Sequence, residues 1–386
     1  MNLKYSVGLD VSSKKINACI SVIDEKQKVV TKSSTVISNT LKGFSSLEEW
    51  ILKHTKETIP VVICMEATGI YHENCAYYLY GKAFEVSIIL PNKAKKYLEA
   101  IGLKSKNDSI DAKGLSQMGA EQCLELWEPM GTFFYELRLL TRQHQNVTEL
   151  KTVIKNQKDA LSFAMHHLDS VTNQLEQTIS LFETQLKELD KEIKSHLRSN
   201  KEVYDKAENI LKMKGLGVLT LSTVLAETNG FTLFTNYKQL VSYAGYDVVE
   251  AQSGKRVGKT KISKRGNSRI RRALHMPSLV VIQCKVKPFK DLFDRTYEKH
   301  GVKMKSYVAV QKKILTMIYH LWKKNEAYDA IYHLNIQEEE QKITSRECGF
   351  EEDKMQKNSP NINIEATQGK HPVNNRKKLP LGVTNI

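Results

Sequence analysis

The sequence predicts an α/β domain, then a long helical region, then a mainly α-helical and strongly basic domain. Three observations lead to this prediction. Short β-branched segments alternate with helical patterns up to about Gln122, no glycine or proline occurs between Gly131 and Lys214, and cationic residues concentrate between Ser253 and Arg272. Alternating strands and helices are typical of a sheet covered by helices, and a long stretch without helix breakers is typical of extended helices.

The first domain, which we expect to span residues 1–125, begins with β-branched patterns of strand length. Turn residues or a proline bound most of these segments and help to separate strands from helices. In chain order the pattern predicts strands YSVGLDV, INACISVI and KVVTKSS, a helix over 44–53, strand VVICMEA, a helix over 74–80, strand EVSIIL and a helix after Pro91. These elements predict an α/β domain built on a mixed sheet.

A helical region follows over residues 130–200. Apolar or small residues recur there in the alternating three-and-four spacing of a coiled-coil seam. The seam consists of Leu161, Ala164, Leu168, Val171, Leu175, Ile179, Phe182, Leu186, Leu189 and Ile193. We expect a long helical hairpin or coiled coil that links two domains. Such a seam can pack on its own chain, but its length favours a self-association arm in a dimer or tetramer.

The third domain, predicted over residues 205–330, opens with a glycine-containing turn between two helical patterns. Lys214, Gly215 and Gly217 resemble the turn of a helix-hairpin-helix element, in which free N–H groups at the next helix start bind a phosphate. Such turns are also common between helices that bind nothing, so both interpretations stay open. The polar segment 336–386 is poor in large apolar residues and is predicted to be a disordered tail.

The most basic segment of the chain lies inside this third domain. No acidic residue occurs between Ala251 and Lys290. So dense a group of like charges repels itself unless a polyanion neutralises it, and a phosphate backbone is the usual partner. A solvated basic tail is the alternative, but the interspersed glycines and hydroxyls favour a phosphate-binding site in a folded domain. The cationic residues are Lys255, Arg256, Lys259, Lys261, Lys264, Arg265, Arg269, Arg271 and Arg272.

Composition limits the remaining classes of protein. The formal charge of +15 suits a nucleic-acid binder, and 41% hydrophobic residues in 386 positions is enough for two or three folded domains. The six cysteines form no CxxC pair and no zinc-like cluster, so neither a disulfide framework nor a zinc site is indicated. No signal-peptide core opens the chain, and no apolar run approaches the roughly 20 residues of a membrane span. We expect a cytoplasmic protein without a membrane partner.

Four acidic residues of the first domain are placed as a metal site requires. Asp10 interrupts an apolar strand, and Glu66 ends another strand at a turn of small residues. Asp108 and Asp111 stand three residues apart at a predicted helix start, which puts both on one face of that helix. Converging carboxylates repel one another unless a cation lies between them, and their hard oxygens suit Mg²⁺ or Mn²⁺. Two such ions about 3.5–4 Å apart can clamp the oxygens of a phosphoryl transfer.

Most of these acids also have a structural interpretation. Asp108 can cap the helix, with Asp111 at the favourable end of the helix dipole. Glu66 can be a surface residue at the end of its strand. Asp10 is harder to explain in this way, because the apolar strand predicts its burial and an unpaired buried carboxylate is costly.

The acids occur in sequence motifs whose order is informative. Asp10 lies in VGLDVS, Glu66 in CMEATGIY, and Asp108 and Asp111 in KNDSIDAKGL. Together these motifs resemble the DEDD site of a RuvC-like, ribonuclease-H-like nuclease domain. With the later SG and ISKRGNSRIRRAL segments, the chain resembles the Piv/MooV-type transposases of insertion-sequence family one-ten. The resemblance extends over about residues 5–325.

The resemblance implies a specific chemistry. In that family the four acids bind divalent metal, and a serine of the C-terminal transposase domain attacks DNA phosphorus to form a transient phosphoserine link. The matching residue is Ser253, and Ser263 is the rival hydroxyl, for which helix capping is the structural interpretation. The resemblance also implies donor and target DNA as partners, together with a structured bridge RNA that pairs with both.

The sequence therefore favours a metal-dependent DNA transposase or recombinase that cleaves and rejoins strands through a serine ester. One alternative is a RuvC-like structure-specific endonuclease that uses water as the nucleophile. Another is a nucleic-acid-binding protein without catalysis. We expect a nucleoid-associated dimer or tetramer. Because the acids and Ser253 belong to separate domains, assembly of the working site between protomers is a further hypothesis.

Overall fold

The computed structural model describes residues 1–67, 69–102, 107–250, 252–253, 256–258 and 260–329. The chain divides into two compact units, Met1–Tyr135 and a second that begins at Glu136. The predicted tail, Lys255 and Lys259 lie outside the described residues, and the boundary between the helical region and the third domain stays a prediction. No helix in the described part of the chain is both long enough and apolar enough to cross a membrane.

The first unit contains the predicted mixed sheet, and every predicted strand and helix of this domain is confirmed. In chain order its elements are β1 (Asn2–Val11), β2 (Lys15–Asp24), β3 (Val29–Ser38), α1 (Leu41–His54), β4 (Val61–Glu66), α2 (Glu73–Gly81), β5 (Glu85–Ile89), α3 (Pro91–Ala100) and α4 (Asp108–Glu121). The strand order is β3-β2-β1-β4-β5. Strands β1, β2 and β3 are antiparallel, whereas β4 runs parallel to β1 and β5 runs parallel to β4.

Helices cover both faces of this sheet. Val7 and Leu9 of β1 belong to a core that includes Leu47 of α1 and residues of α2. A second core contains Leu115 and Met118 of α4 together with residues of β4, β5 and α3. Because both faces are buried, the central strands are apolar along most of their length.

The described residues from Thr132 to Asp329 are mainly α-helical, as predicted, and include four strands of two residues each. The elements are α5 (Thr132–Leu161), α6 (Asp169–Ser199), α7 (Lys201–Leu211), α8 (Val218–Glu227), α9 (Tyr237–Tyr243), β6 (Val248–Val249), β7 (Gln252–Ser253), β8 (Arg256–Val257), β9 (Lys261–Ile262), α10 (Ser268–Ala273), α11 (His275–Gln283), α12 (Lys287–His300) and α13 (Lys303–Lys324).

Helices α5 and α6 form an antiparallel hairpin. Lys158 Nζ lies 2.7 Å from Glu176 Oε1, and Lys151 Nζ lies 3.6 Å from Glu183 Oε1. The earlier residue of α5 pairs with the later residue of α6, so the two helices run in opposite directions. The turn over 162–168 interrupts the predicted seam, although it contains no glycine or proline. The hairpin form of the prediction is therefore observed, and a coiled coil with a second copy stays a prediction.

Candidate active site and nucleic-acid interface

Helix α4 packs closely on the first strand. A β-carbon on Gly8 would overlap with the carbonyl oxygen of Ala112, and one on Gly119 would overlap with Ser6 Oγ. Glycine at both positions lets the two elements approach this far. Because Gly8 meets Ala112 while Ser6 meets Gly119, α4 runs antiparallel to β1. Its first turn therefore lies over the carboxyl end of that strand.

Asp10 lies on the α4 face of β1. Successive side chains of a strand point to opposite faces, so a residue two positions after Gly8 shares its face. Ser6 and Gly8 both lie against α4, which places Asp10 on that side. Its side chain is half-buried, less than the apolar strand alone predicts.

Glu66 occupies the equivalent place on the neighbouring strand. Cys64 of β4 packs against Gly119 of α4, so Glu66, two residues further, faces the same helix. The parallel register pairs Gly8 with Cys64, and continuing it by two residues brings Asp10 beside Glu66. Neighbouring strands lie about 4.8 Å apart, so the backbones of the two acids lie side by side at the carboxyl ends of β1 and β4.

Asp108 and Asp111 lie in the first turn of α4, as the sequence predicts. Asn107 caps the helix, because its Oδ1 accepts a hydrogen bond from the backbone N–H of Ile110 at 2.8 Å. The interpretation of Asp108 as the N-cap is therefore wrong. The helix dipole favours negative charge at both positions, and Lys15 Nζ of β2 lies 3.0 Å from Asp108 Oδ2.

The four acids thus come to one edge of the sheet, and their carboxylate oxygens are the donors that Mg²⁺ and Mn²⁺ prefer. Among the residues that the structure describes, no three His, Cys, Asp or Glu side chains already form a metal-binding cluster. Burial raises the pKa of the nearby Cys64 thiol to about 12, so this thiol is protonated in the metal-free protein. The oxygen chemistry of this donor set fits a divalent cation.

Sequence reasoning missed Asn17, which pairs with Asp10 in the register of β1 and β2. Asn17 is 5% exposed, and its amide nitrogen has no hydrogen-bond partner. Buried polar groups are normally paired, so an unsatisfied donor beside Asp10 fits a site that a ligand completes. The only signal in the sequence was an amide near the start of an otherwise apolar strand.

Ser253 lies on a short β-hairpin of the second unit. Strand β6 pairs with β9, and between them in the chain β7 pairs with β8. The inner pair joins Gln252 to Val257 and Ser253 to Arg256. The backbone of the proposed nucleophile therefore lies beside that of a residue predicted to bind phosphate.

The segment after this hairpin is exposed. Lys261, Lys264 and Arg265 all present their side chains to solvent. Ser263, the rival hydroxyl, accepts a hydrogen bond from the backbone N–H of Arg265 at 3.3 Å, and Asn267 caps α10. Helix capping, the structural interpretation of Ser263, is therefore wrong.

Three arginines of α10 use part of their hydrogen-bonding capacity to hold the basic segment in place. Each guanidinium carries five N–H donors, so these contacts leave others for a ligand. The contacts are Arg269 with Gln145 Oε1 (3.1 Å), Arg271 with the carbonyl oxygens of Ala244 (2.8 Å) and Gly266 (3.2 Å), and Arg272 with Glu149.

Glu227 of α8 is the buried anchor of this region. Its two oxygens accept hydrogen bonds from Arg142 at 2.7 and 3.0 Å, and Asn267 Nδ2 donates to it at 2.7 Å. Burial alone would raise the pKa of Glu227, but the hydrogen bonds and charge of Arg142 outweigh it and hold the pKa below its usual value. A charged Glu227 therefore ties α5, α8 and the start of α10 together.

A cavity of about 860 Å³ lies among α5, α8, α10, α11 and α13. Four cationic side chains, Lys264, Arg269, Arg271 and Arg272, contribute to its lining. The described lining residues otherwise supply aliphatic, thioether, hydroxyl, amide and imidazole groups, and none is a carboxylate. A cavity of this kind suits a group that is both apolar and anionic, such as a nucleotide.

The glycine-containing turn joins α7 to α8 as predicted. Gly215 has a φ of 90°, and a β-carbon there would lie 3.1 Å from Val280 Cγ1. The positive φ favours glycine for a structural reason, and the nearby valine leaves little room for a side chain. Lys214 is exposed, and Gly217 occupies the N-cap position of α8. Phosphate binding by this turn stays a prediction.

The strand order of the first unit, with acids at the carboxyl ends of β1 and β4, defines a ribonuclease-H-like domain of the RuvC type. Two family models match the chain. The model of DEDD transposases of the IS110 type matches residues 7–163, and that of the "Transposase IS116/IS110/IS902 family" matches residues 207–294. The chain belongs to this family of insertion-sequence transposases and is a DNA-processing enzyme.

Two curated relatives match the chain over most of its length. They are the pilin gene-inverting proteins of Moraxella bovis and Moraxella lacunata. Each is 26% identical over 331 residues, which cover 86% of this chain and 99% of the relative.

Solved structures of Thermus thermophilus RuvC are similar to part of the chain. One, in complex with a Holliday junction substrate, is 9% identical with a TM-score of 0.25, over 32% of this chain and 99% of the other. The second is 12% identical with a TM-score of 0.25, over 30% of this chain and 93% of the other.

Proposed function

We propose that the protein cleaves and rejoins DNA at a divalent-metal site held by Asp10, Glu66, Asp108 and Asp111, with Ser253 as the nucleophile. The observation that carries this proposal is the position of Asp10 and Glu66 on the face of the sheet that α4 covers, at the strand ends where the first turn of α4 carries the other two acids. A protein that only binds nucleic acid gains nothing from carboxylates at this edge, because they repel phosphate. A phosphoryl-transfer enzyme needs them to hold cations.

The proposed reaction is an in-line exchange of one ester for another. Mg²⁺ or Mn²⁺ would supply Lewis acidity at the reacting phosphate. Ser253 Oγ forms a bond to phosphorus as the bond from phosphorus to the leaving DNA oxygen breaks, and that oxygen takes up the proton that Oγ releases. The reverse reaction, with another strand end as the attacking hydroxyl, rejoins DNA and restores the serine.

The basic segment would neutralise the phosphate during this exchange. We assign that role to Lys255, Arg256 and Lys259, which adjoin Ser253 in the sequence. The exposed Lys261 and Arg265 would contact the DNA backbone further away. Such contacts carry no sequence information, so they position the DNA without selecting it.

We also propose a bridge RNA as guide and a dimeric or tetrameric assembly. The net charge of +15 supports the binding of a second polyanion in addition to DNA. Helix α5 exposes Leu139, Leu150 and Val153 by more than half, which supports self-association through the hairpin. Light scattering before and after ribonuclease treatment tests both points, and a monomer whose mass is the same before and after treatment would contradict them.

The decisive experiment looks for the serine ester. The purified protein is incubated with Mg²⁺, co-purifying RNA and labelled DNA from the element junction, and is then denatured. We expect a covalent protein–DNA adduct that Ser253→Ala and Asp10→Asn abolish and Ser263→Ala retains. Cleaved DNA without an adduct, unaffected by Ser253→Ala, would instead identify a hydrolytic RuvC-like endonuclease.

A further inference from the structure

Asn17 is a buried polar residue whose donor makes no hydrogen bond. It lies near the start of β2, is 5% exposed, and its amide nitrogen has no partner. Burial of an unpaired amide costs free energy, because the group gives up its hydrogen bonds to water and gains none. A residue that weakens the fold in this way calls for an explanation in function.

The neighbours of Asn17 on β2 show which way its side chain points. Ser21 Oγ lies 2.7 Å from Ser116 Oγ of α4, and Lys15 Nζ reaches Asp108 at the start of the same helix. Alternate residues share one face of a strand, so Asn17, between Lys15 and Ser21, also faces α4. It therefore faces the helix that carries two of the proposed metal ligands.

Asn17 is also the register partner of Asp10. Directly opposed residues of antiparallel strands have β-carbons about 4.5–5.5 Å apart, a distance that an amide and a carboxylate can bridge. We propose that Asn17 is a positioning residue for Asp10. When a divalent ion is bound, its N–H would donate to one carboxylate oxygen and leave the other oxygen available to the ion. This inference rests on the proposed metal site.

A neutral donor suits this task better than a cation. A lysine beside Asp10 would fix the carboxylate but would also neutralise it and compete with the metal ion. An amide N–H fixes the orientation and leaves the charge available. Hydrogen bonds of this kind to a metal ligand typically change metal affinity 10–100-fold, roughly the range expected for Asn17.

The test compares Asn17→Leu and Asn17→Ala in the full chain. Leucine has nearly the shape of asparagine, whereas alanine removes the amide without any steric demand. We expect both variants to bind Mn²⁺ about 10-fold more weakly by calorimetry. Without metal, Asn17→Leu should melt at or above the wild-type temperature, because an unpaired buried group is removed. An asparagine with only a structural role would lower the melting temperature and leave Mn²⁺ affinity unchanged.

Ser6→Ala is the matched control. Ser6 is buried on the same face of the sheet, its hydroxyl also lacks a partner, and it pairs with Ser21, away from the acids. We expect this variant to keep wild-type Mn²⁺ affinity, and weakening equal to that of Asn17→Ala would overturn the inference.

Asp10→Asn separates this inference from the proposed function. We expect it to lose Mn²⁺ binding. If Asn17→Ala binds Mn²⁺ like the wild type while Asp10→Asn does not, the role of Asn17 is overturned and the metal site stands. If Asp10→Asn itself binds Mn²⁺ like the wild type, the metal site is wrong and the role of Asn17 falls with it. If Asn17→Leu does not fold, the Mn²⁺ affinity of Asn17→Ala decides whether Asn17 positions Asp10.

Discussion

Lys15 Nζ lies 3.0 Å from Asp108 Oδ2, so a cation of β2 already neutralises one acid of the proposed metal site. The two side chains are 53% and 50% exposed, and a pair of this kind stabilises the fold by at most about 1 kcal/mol. A divalent ion must compete with Lys15 for the same carboxylate. Lys15 therefore lowers the affinity of the site for a divalent ion slightly.

Removal of this competition should tighten metal binding. We expect Lys15→Gln to bind Mn²⁺ up to about five-fold more tightly by calorimetry, since about 1 kcal/mol corresponds to a factor of roughly five. Lys14→Gln is the control, because it removes the same charge from an exposed neighbour in the turn before β2. Weaker binding in Lys15→Gln would mean that Lys15 supports the site.

The close approach of α4 to β1 predicts a second result. A β-carbon at position 8 would overlap with the carbonyl oxygen of Ala112, and backbone cannot yield as a flexible side chain can. We expect Gly8→Ala to destabilise the protein by about 1–3 kcal/mol in urea unfolding and to weaken Mn²⁺ binding.

Gly81→Ala provides the comparison for Gly8→Ala. Gly81 ends α2, and a β-carbon there would meet nothing within 4 Å. We expect Gly81→Ala to be neutral, or stabilising by up to about 1 kcal/mol, with unchanged Mn²⁺ affinity. Equal losses of stability in Gly81→Ala and Gly8→Ala would show that the packing of α4 does not depend on the glycine of β1.

The strands and the acids of the first unit could be predicted because local patterns encode them. β-Branched runs identify β1, β2 and β4, and a charge inside an apolar strand identifies Asp10. Asn17 and Gly8 could not be identified in this way. Their importance depends on a strand register and on a helix nearly one hundred residues away, and neither is visible in the local sequence.

The turn of the helical hairpin could not be predicted from the local sequence pattern. Its apolar repeat runs unbroken through Ala164 and Leu168, and no glycine or proline marks a turn. The chain nevertheless turns there, because α6 packs back on α5 through pairs such as Lys158–Glu176. Tertiary packing overrides helix propensity at this point.

Removal of the negative charge of the buried Glu227 should destabilise the protein. Glu227→Gln keeps the shape but weakens two charge-assisted hydrogen bonds from Arg142, so we expect a loss of about 3 kcal/mol in urea unfolding at pH 7. Arg272→Gln is the control, because its pair with Glu149 is about half exposed on both sides. It should cost less than about 1 kcal/mol. Similar losses in both variants would contradict the anchor role.

The lowered pKa of Glu227 also predicts how stability depends on pH. A carboxyl group with a pKa below its unfolded value of 4.5 stabilises the fold fully above that value and loses this contribution as pH falls below it. The difference in unfolding free energy between the wild type and Glu227→Gln should therefore be constant from pH 7 to about 5 and shrink below 4.5. A difference that is the same at pH 3 as at pH 7 would assign it to shape and not to charge.

Lys264 tests whether the cavity in the second unit receives nucleic acid. Its side chain lines the cavity and its φ is 54°, so asparagine, which tolerates this conformation, is the least disruptive neutral replacement. We expect Lys264→Asn to bind labelled single-stranded nucleic acid several-fold more weakly, with a salt dependence reduced by about one phosphate contact. Lys285→Asn removes the same charge at an exposed position with a φ of 52° outside the cavity and should change neither quantity. If both variants lose affinity equally, only net charge matters and the cavity is not a binding site.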